Sequence, residues 1–293
     1  MKVLSLVPVQ LLHSSKFYLF GIAVGLVVYQ LLLTWQISND IDQLTINALF
    51  LGAILYSLWG KQSKLSLESD MFSSFLGLLL IVLVLSKSIS LFWFETSFLR
   101  VIPLTTACGL ALLASGMRGL KQYWKELIIL FLLSLPPSLF VSIINHLLQI
   151  TVLTAKVSTF ILWYLGFTLS RQGDTMILNN GAVMVTPECT GISTALLLIK
   201  LAIIYILIFP TSWRERILGI SGAIGISFIT STIRVTMLVT VVSDSAAFHY
   251  WHGGAGNQIF STISILCFGV FCNHFLFAKH TDRLKNKQLN THA

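Results

Sequence analysis

The sequence predicts an all-α polytopic membrane protein, and composition, hydropathy and the placement of charge each support this fold class. Hydrophobic residues make up 55% of the 293 residues and charged residues only 10%, with a mean hydropathy of +0.84. So little polar surface cannot cover a water-soluble globule of this length. The apolar residues are gathered into stretches of about 20, the length of helix that crosses a hydrocarbon core. Most Lys and Arg residues lie between these stretches.

About eight transmembrane helices are expected, within a single integral membrane domain that covers residues 1–293. The expected helices lie near residues 17–35, 45–59, 71–86, 98–116, 127–148, 191–209, 217–240 and 259–277. Residues 1–16 have no small-residue cleavage site after their short apolar run, so we expect them to be cytoplasmic and retained. An even number of spans places both termini on the same side of the membrane.

The distribution of Lys and Arg indicates which side that is. With both termini in the cytoplasm, 13 of the 19 basic residues fall in inner segments. Those 13 are Lys2, Lys16, Lys61, Lys64, Arg118, Lys121, Lys125, Arg214, Arg216, Lys279, Arg283, Lys285 and Lys287. Because cytoplasmic loops are enriched in Lys and Arg, this arrangement favours an inner (plasma) membrane protein with cytoplasmic termini and a basic cytoplasmic tail over 280–293. The net charge of +8 then faces membrane lipid, and no nucleic-acid partner is expected.

The stretch 151–190 is expected not to span the membrane, because a ninth span there would place Arg214 and Arg216 outside. Thr and Ser interrupt the apolar residues of 151–169, and an aromatic pair near its end suits a helix lying in the outer headgroup zone. Further on, the runs 176–178 and 183–185 flank Asn179-Asn180-Gly181, which is the signature of a hairpin. This hairpin would deliver the residues that follow it to the outer face.

Cys189 is the candidate nucleophile, because it stands in the short polar stretch Pro187-Glu188-Cys189-Thr190-Gly191 that opens onto a long apolar helix. A thiol is the side chain whose ionisation lies close to neutrality, and a nearby cation favours the thiolate. A small residue without a function remains the alternative interpretation. The other cysteines lie inside apolar segments and are expected to be buried hydrophobes; they are Cys108, Cys267 and Cys272.

The predicted topology places further polar side chains at the same outer end of the helices as Cys189. The seventh span starts in the cytoplasm and reaches Arg234 after 17 residues, roughly 25 Å at the helical rise. A cation in an apolar helix is costly, so a functional role is the first hypothesis and snorkelling to the interface the alternative. The next outer loop carries His249 and His252, beside Gly253 and Gly256, which permit close approach of a peptide backbone.

Two more charged residues lie near the thiol in sequence. Lys200 follows Cys189 by 11 residues, on the same helix face but roughly 16 Å deeper, so we expect a structural role for it. Glu188 would disfavour a thiolate if it pointed inward. We therefore expect it to face solvent, or to hold Arg234 or a substrate.

These motifs resemble those of the exosortase and archaeosortase membrane proteases, in particular the cyanobacterial exosortases. Members carry a Cys-Ser/Thr-Gly-Ile/Leu block at the start of a helix, here 189–192, and an Arg about 45 residues later, here Arg234. A third motif, His with Gly four and Phe eight residues later, is satisfied by His252 and not by His249. Members often have Asn three residues before the Arg, whereas this chain has Ser231.

The resemblance implies a membrane-embedded cysteine protease or transpeptidase. Its partners would be exported proteins whose carboxy-terminal sorting signals combine a Pro-Glu-Pro-type motif, a membrane helix and a basic tail. It implies Cys189 as the nucleophile that forms a thioester acyl-enzyme, Arg234 as the group that stabilises the thiolate or oxyanion, and His252 as the proton carrier. The substrate-binding candidates are Glu188, Thr190, Gly253 and Gly256, and the candidates for orienting the histidine are Asp244, Asn257 and Glu188.

Functions of two other classes stay open at this point. A transporter or export-pore subunit could line a polar pathway with Lys200, Arg234 and His146. The second alternative is a catalytically inactive scaffold for envelope assembly. No metal site is expected, because His249 and His252 lack a third ligand on their face. No cofactor is expected either, because the chain carries no Gly-rich phosphate loop.

Overall fold

The structure is a computed structural model that describes residues 15–38, 41–61, 63–90, 96–179, 181–209, 211–253 and 255–277. Helices predominate in this part of the chain, which confirms the all-α class. The predicted cytoplasmic tail over 280–293 and nearly all of the amino-terminal segment 1–16 lie outside the described residues. By internal contacts the chain divides after Pro136 into two units, which are described separately.

The first unit, residues 1–136, contains five α-helices within its described part. They are α1 (Ser15–Ser38), α2 (Ile41–Lys61), α3 (Met71–Ser90), α4 (Thr96–Gly119) and α5 (Trp124–Ser134). Helices α3 and α4 pack most closely at Gly77 and Gly109, where a Cβ on either glycine would overlap the facing backbone. Small residues at such crossings let membrane helices approach each other. One ion pair of this unit joins Lys61 to the buried Glu126 at 2.8 Å.

The second unit, residues 137–293, holds six α-helices and a small sheet within its described part. The helices are α6 (Pro137–Leu148), α7 (Ile150–Tyr164), α8 (Ile192–Ile208), α9 (Trp213–Thr240), α10 (Ser245–Gly253) and α11 (Ala255–Cys272). The strands β1 (Leu169–Gln172), β2 (Thr175–Leu178) and β3 (Gly181–Met184) lie between α7 and α8 and form an antiparallel sheet in the order β1-β2-β3.

Six helical segments of the described residues are long and apolar enough to cross a membrane, or seven if α6 and α7 together count as one bent span. Helix α8 is also largely apolar, but its 17 residues make it shorter than these segments. A polytopic membrane protein is therefore confirmed, and the number of eight spans stays a prediction.

The helix expected over 127–148 is divided in the structure. Helix α5 ends at Ser134, Leu135 has an extended backbone, and α6 begins at Pro137. A residue that precedes proline is disfavoured in the helical region, and proline is favoured at the first position of a new helix. The Pro136-Pro137 pair therefore ends one helix and begins the next. This break is also the boundary between the two units.

The stretch 151–169, expected to be an interfacial helix, forms α7 over most of its length and β1 at its end. Helix α7 packs against α9 through residues at helical spacing, including Thr154 and Ser158, both fully buried. The Ser158 hydroxyl donates to the Thr232 carbonyl at 3.4 Å. The polar residues that interrupt the apolar pattern thus form the packed face, because small hydroxyl side chains allow close helix contact. Trp163 and Tyr164, on the other side, are exposed.

The predicted hairpin is confirmed as β2 and β3, which pair from Thr175 with Met184 to Leu178 with Gly181. One face of this sheet is buried, through Met176 and Val183, against α7 and α9. The strand β1 was not predicted. Its connection to β2 is the two-residue turn Gly173-Asp174, where Gly173 has a φ of +63°. The sheet ends directly before the polar stretch that contains the candidate nucleophile.

Candidate active site

Cys189 is the last residue of a single 3-10 turn, Pro187–Cys189, between strand β3 and helix α8. Its N–H donates to the Thr186 carbonyl at 2.9 Å, and its side chain is only 5% exposed. The Thr186 hydroxyl donates to the Cys189 Sγ at 3.4 Å. Thr186 occupies the N-cap position of this turn, where a threonine normally bonds to the backbone, yet it makes no such bond here. Its hydroxyl is directed to the sulfur instead.

Gly191 joins the nucleophile turn to α8 and holds it against α9. It has a φ of +74°, a left-handed conformation in which glycine is unstrained. A Cβ at this position would overlap the Ser231 side chain and lie 2.9 Å from the Ser227 carbonyl. Ser231 is one helical turn before Arg234 on α9. The contact between Gly191 and Ser231 therefore fixes the height of the nucleophile turn relative to the guanidinium.

Substituting Gly191 with alanine is expected to destabilise the second unit by at least about 2 kcal/mol, because the left-handed strain and the overlap with Ser231 act together. Thermal unfolding of the purified protein in detergent should show a melting temperature lower by about 4 °C or more. Gly253→Ala is the matched control, because nothing lies within 4 Å of a Cβ there. Equal melting temperatures for the two variants would contradict this account of the turn.

His252 lies in the last turn of α10, with its Nε2 atom 3.6 Å from the Cys189 Sγ. The start of α10 is fixed by Asp244, whose carboxylate accepts from the N–H groups of Ala246 and Ala247. One turn before His252, the Phe248 ring stacks on the imidazole with centroids 5.4 Å apart and planes 9° apart. His252 is exposed as a residue, so the imidazole lies between the buried sulfur and the protein surface.

Arg234 approaches the same histidine from α9. Its Nη2 donates to the His252 carbonyl oxygen at 2.6 Å. The side chain is only 8% exposed, and its Nε has no hydrogen-bond partner within the described residues. Arg234 forms no salt bridge with a carboxylate of the described residues. A buried cation without a carboxylate favours an anion beside it, and the thiol is the ionisable group at hand.

The structure brings Cys189, Arg234 and His252 together, whereas several other predicted site residues have different surroundings. Thr190 is buried, and its hydroxyl donates to the Pro187 carbonyl within the turn. Gly256 packs against Trp251, where a Cβ would be 2.6 Å from the indole ring. The candidates that remain open to a substrate are Glu188, which is exposed, and Gly253.

The other predicted residues take no part in this cluster. His249 is exposed one turn before His252, and the Asp244 carboxylate caps α10 rather than contacting the imidazole. Lys200 lies within α8 and His146 in the last turn of α6. Throughout the residues that the structure describes, no three His, Cys, Asp or Glu side chains are grouped as a metal site would require.

Two contacts were missed by the sequence reasoning. Thr186 could have been suspected, because Thr-Pro at the start of a short turn is an N-cap signal, but nothing in the sequence shows that its hydroxyl turns to the sulfur. The stacking of Phe248 on His252 follows from their spacing of four on α10. That spacing carries weight only once the segment is known to be helical.

In the comparison with known protein families, the model described as transmembrane exosortase matches residues 35–269. The match covers about four fifths of the chain. The chain belongs to the transmembrane exosortase family. No curated protein and no solved structure matches the chain.

The range matched by the family model includes Cys189, Arg234 and His252 and extends over parts of both units of the fold. Family membership makes the chain a multi-pass membrane protein of a class that processes sorting signals on exported proteins. The resemblance seen in the sequence is thereby confirmed at the level of the family.

Proposed function

We propose that this exosortase is a cysteine transpeptidase or protease that cleaves carboxy-terminal sorting signals through a thioester on Cys189. The observation that carries the proposal is the distance of 3.6 Å between the Cys189 Sγ and the His252 Nε2, with Arg234 bonded to the same histidine. Nucleophile and base within hydrogen-bonding reach, held by a third group, are the signature of nucleophilic catalysis. The substrates are exported proteins with a Pro-Glu-Pro-type motif, a membrane helix and a basic tail.

The proton path follows from the contacts of the sulfur. Because the Thr186 hydroxyl donates to the Sγ, the thiol proton is free to bond to the His252 Nε2. The imidazole takes this proton as the sulfur attacks the scissile carbonyl carbon. When the C–N bond breaks, the imidazolium returns the proton to the leaving amine, and the acyl group stays on the sulfur as a thioester. An amine acceptor or water then attacks the thioester and restores the thiol.

Arg234 has two functions in this scheme. Its Nη2 holds the backbone of His252, which fixes the imidazole at the sulfur. Its positive charge, buried and without a carboxylate partner in the described part of the chain, stabilises first the thiolate and then the tetrahedral oxyanion. One donor to such an oxyanion is typically worth about 2.7 to 4 kcal/mol of barrier height.

The site is proposed to lie on the outer face of the membrane. Within the second unit, α8 and α11 begin at the end that holds Cys189 and His252, whereas α9 begins at the other end with Arg214 and Arg216. Enrichment of basic residues on the cytoplasmic side then assigns the end with Arg214 to the cytoplasm. A substrate helix anchored in the same bilayer would present its outer flank to Cys189.

The experiment for the proposed function is co-expression of the exosortase with a reporter that carries a Pro-Glu-Pro motif, an apolar helix and a basic tail. We expect the reporter to be shortened at the motif, as measured by intact mass. A reporter lacking only the motif, with helix and tail unchanged, should remain full length. Failure to shorten the complete reporter, with both proteins present in the membrane, would contradict the proposal.

Replacing Thr186 with valine is expected to slow the alkylation of Cys189 by iodoacetamide about tenfold at pH 7, because a thiolate loses a charge-assisted hydrogen bond. Thr186→Ser keeps the hydroxyl and should retain the wild-type rate. A rate unchanged by the valine would show that this hydroxyl does not act on the sulfur.

A further inference from the structure

The outer edge of strand β3 presents unpaired backbone groups close to the nucleophile. The Val185 N–H donates to the Asp174 carbonyl at 3.1 Å, which extends the ladder between β3 and β2 by one pair. Bonded and non-bonded pairs alternate along an antiparallel ladder, so Val183 and Gly181 also bond to β2. The backbone N–H and C=O groups of Ala182 and Met184 therefore point away from β2, toward the open edge.

This edge is accessible in the described part of the chain. Ala182 and Met184 are both exposed, Met184 by 60%. Neither makes a backbone hydrogen bond outside the sheet with any residue that the structure describes. The helices pack on the buried face instead, where a Cβ on Gly181 would be in contact with Val242. Exposed strand edges with unpaired groups are templates for an additional strand.

The edge leads directly into the catalytic cluster. Thr186, whose hydroxyl is 3.4 Å from the Cys189 Sγ, follows Met184 by two residues. An extended chain rises about 3.3 Å per residue, so the free backbone groups of Met184 lie within roughly 13 Å of the sulfur. A peptide paired along β3 would thus present one of its next few carbonyl groups to Cys189.

We propose that the substrate segment at the scissile bond binds as a fourth strand on β3, in the order β1-β2-β3-substrate. The inference rests on the proposed function and adds how the substrate is recognised: by backbone hydrogen bonds to Ala182 and Met184. Such pairing holds the segment extended and sets its register relative to Cys189. Sequence preference then comes from alternate side chains, which lie on the two faces of the enlarged sheet.

The Pro-Glu-Pro-type motif of the proposed substrates is compatible with this geometry. Its prolines are two residues apart, so their backbone nitrogens, which lack hydrogen, lie on the same edge of a strand. That edge can face away from β3, as prolines do on edge strands. The glutamate N–H and C=O would then face β3 and pair with it.

The test uses synthetic substrates that carry the motif, an apolar helix and a basic tail, each with one backbone N–H replaced by N-methyl. The full-length exosortase is assayed in lipid nanodiscs. Methylation at the glutamate and at residues two positions from it should lower kcat/KM about tenfold or more, because one pairing bond is lost. Methylation three residues from the glutamate should change kcat/KM less than about threefold, and the positions next to the glutamate are prolines, which have no N–H to replace. Strand addition would be overturned if methylation lowered kcat/KM without this alternation, or if it left kcat/KM unchanged at every position.

A variant of the enzyme provides the reciprocal measurement. Met184→Pro removes the outward N–H, whereas Met184→Ala removes the side chain and keeps the N–H. The proline variant should raise KM about tenfold and the alanine variant less than threefold, both with the wild-type rate of Cys189 alkylation by iodoacetamide. Equal KM values for the proline and alanine variants would overturn the proposal. If the proline variant alters the alkylation rate of Cys189, the nucleophile turn itself is disturbed, and the series of methylated substrates alone decides.

The two proposals fail in different ways. If unmethylated substrate is not cleaved, the proposed function is wrong and this inference with it. If unmethylated substrate is cleaved through Cys189 but the methylated series shows no period of two, the function stands and strand addition is wrong.

Discussion

Replacing Cys189 with alanine is expected to abolish processing of the tripartite reporter. The alanine cannot form the thioester, and loss of a covalent nucleophile costs on the order of 10⁶-fold in turnover. The fold should be retained, because Cys189 lies in a turn that is held by backbone bonds and by Gly191. The measurement is the intact mass of the reporter after co-expression, with the amount of enzyme in the membrane determined by immunoblot.

Cys267→Ala is the matched control for that result. Cys267 is an exposed cysteine on α11 that makes none of the contacts of the catalytic cluster, so its removal should leave processing unchanged. Processing that persists in Cys189→Ala at the wild-type level would exclude the thioester mechanism. The transporter interpretation, in which Lys200 and Arg234 line a polar pathway, would then have to be considered again.

Replacing His252 with alanine is expected to lower kcat/KM by about 10² to 10⁴, the usual contribution of a general acid and base. The substitution removes the imidazole that lies 3.6 Å from the sulfur but keeps the carbonyl that Arg234 binds. The loss therefore reports proton transfer rather than displacement of the guanidinium. The measurement is a time course of cleavage of the synthetic substrate in nanodiscs.

His249→Ala is the control for this second prediction, because His249 is exposed and lies one helical turn before His252 on α10. Its activity should remain within about threefold of wild type. A large loss in His249→Ala with little loss in His252→Ala would reverse the assignment of the proton carrier. The Gly-at-four and Phe-at-eight pattern gives the same choice of histidine from the sequence alone.

The grouping of Cys189, Arg234 and His252 could be predicted because the order and direction of the helices strongly constrain where these residues lie. Once Cys189 opens one helix and Arg234 nears the end of the next, antiparallel packing places them at the same end of the bundle. Their contacts with His252 depend on side-chain packing that a sequence does not reveal. Thr186 illustrates this: its position predicts a helix cap, and the structure shows a bond to the sulfur.

The sequence did not show how the polar residues of α7 are used. Thr154 and Ser158 interrupt the apolar pattern of 151–169, and the structure buries both of them where α7 packs on α9. In a membrane protein the surface is apolar, so small hydroxyl residues are found at contacts between helices. Hydropathy alone also passed over Pro136 and Pro137, because a window average is insensitive to a break in the backbone.

A thioester on Cys189 is detected by the mass of the acyl-enzyme. Substrate and wild-type exosortase are mixed, quenched in acid after a short time and digested, and the peptide that contains Cys189 is weighed. We expect an added mass equal to the amino-terminal part of the substrate up to the scissile bond, removed by hydroxylamine as a thioester is. An adduct on any other residue, or cleavage at full rate with no adduct detected at Cys189, would contradict the thioester mechanism.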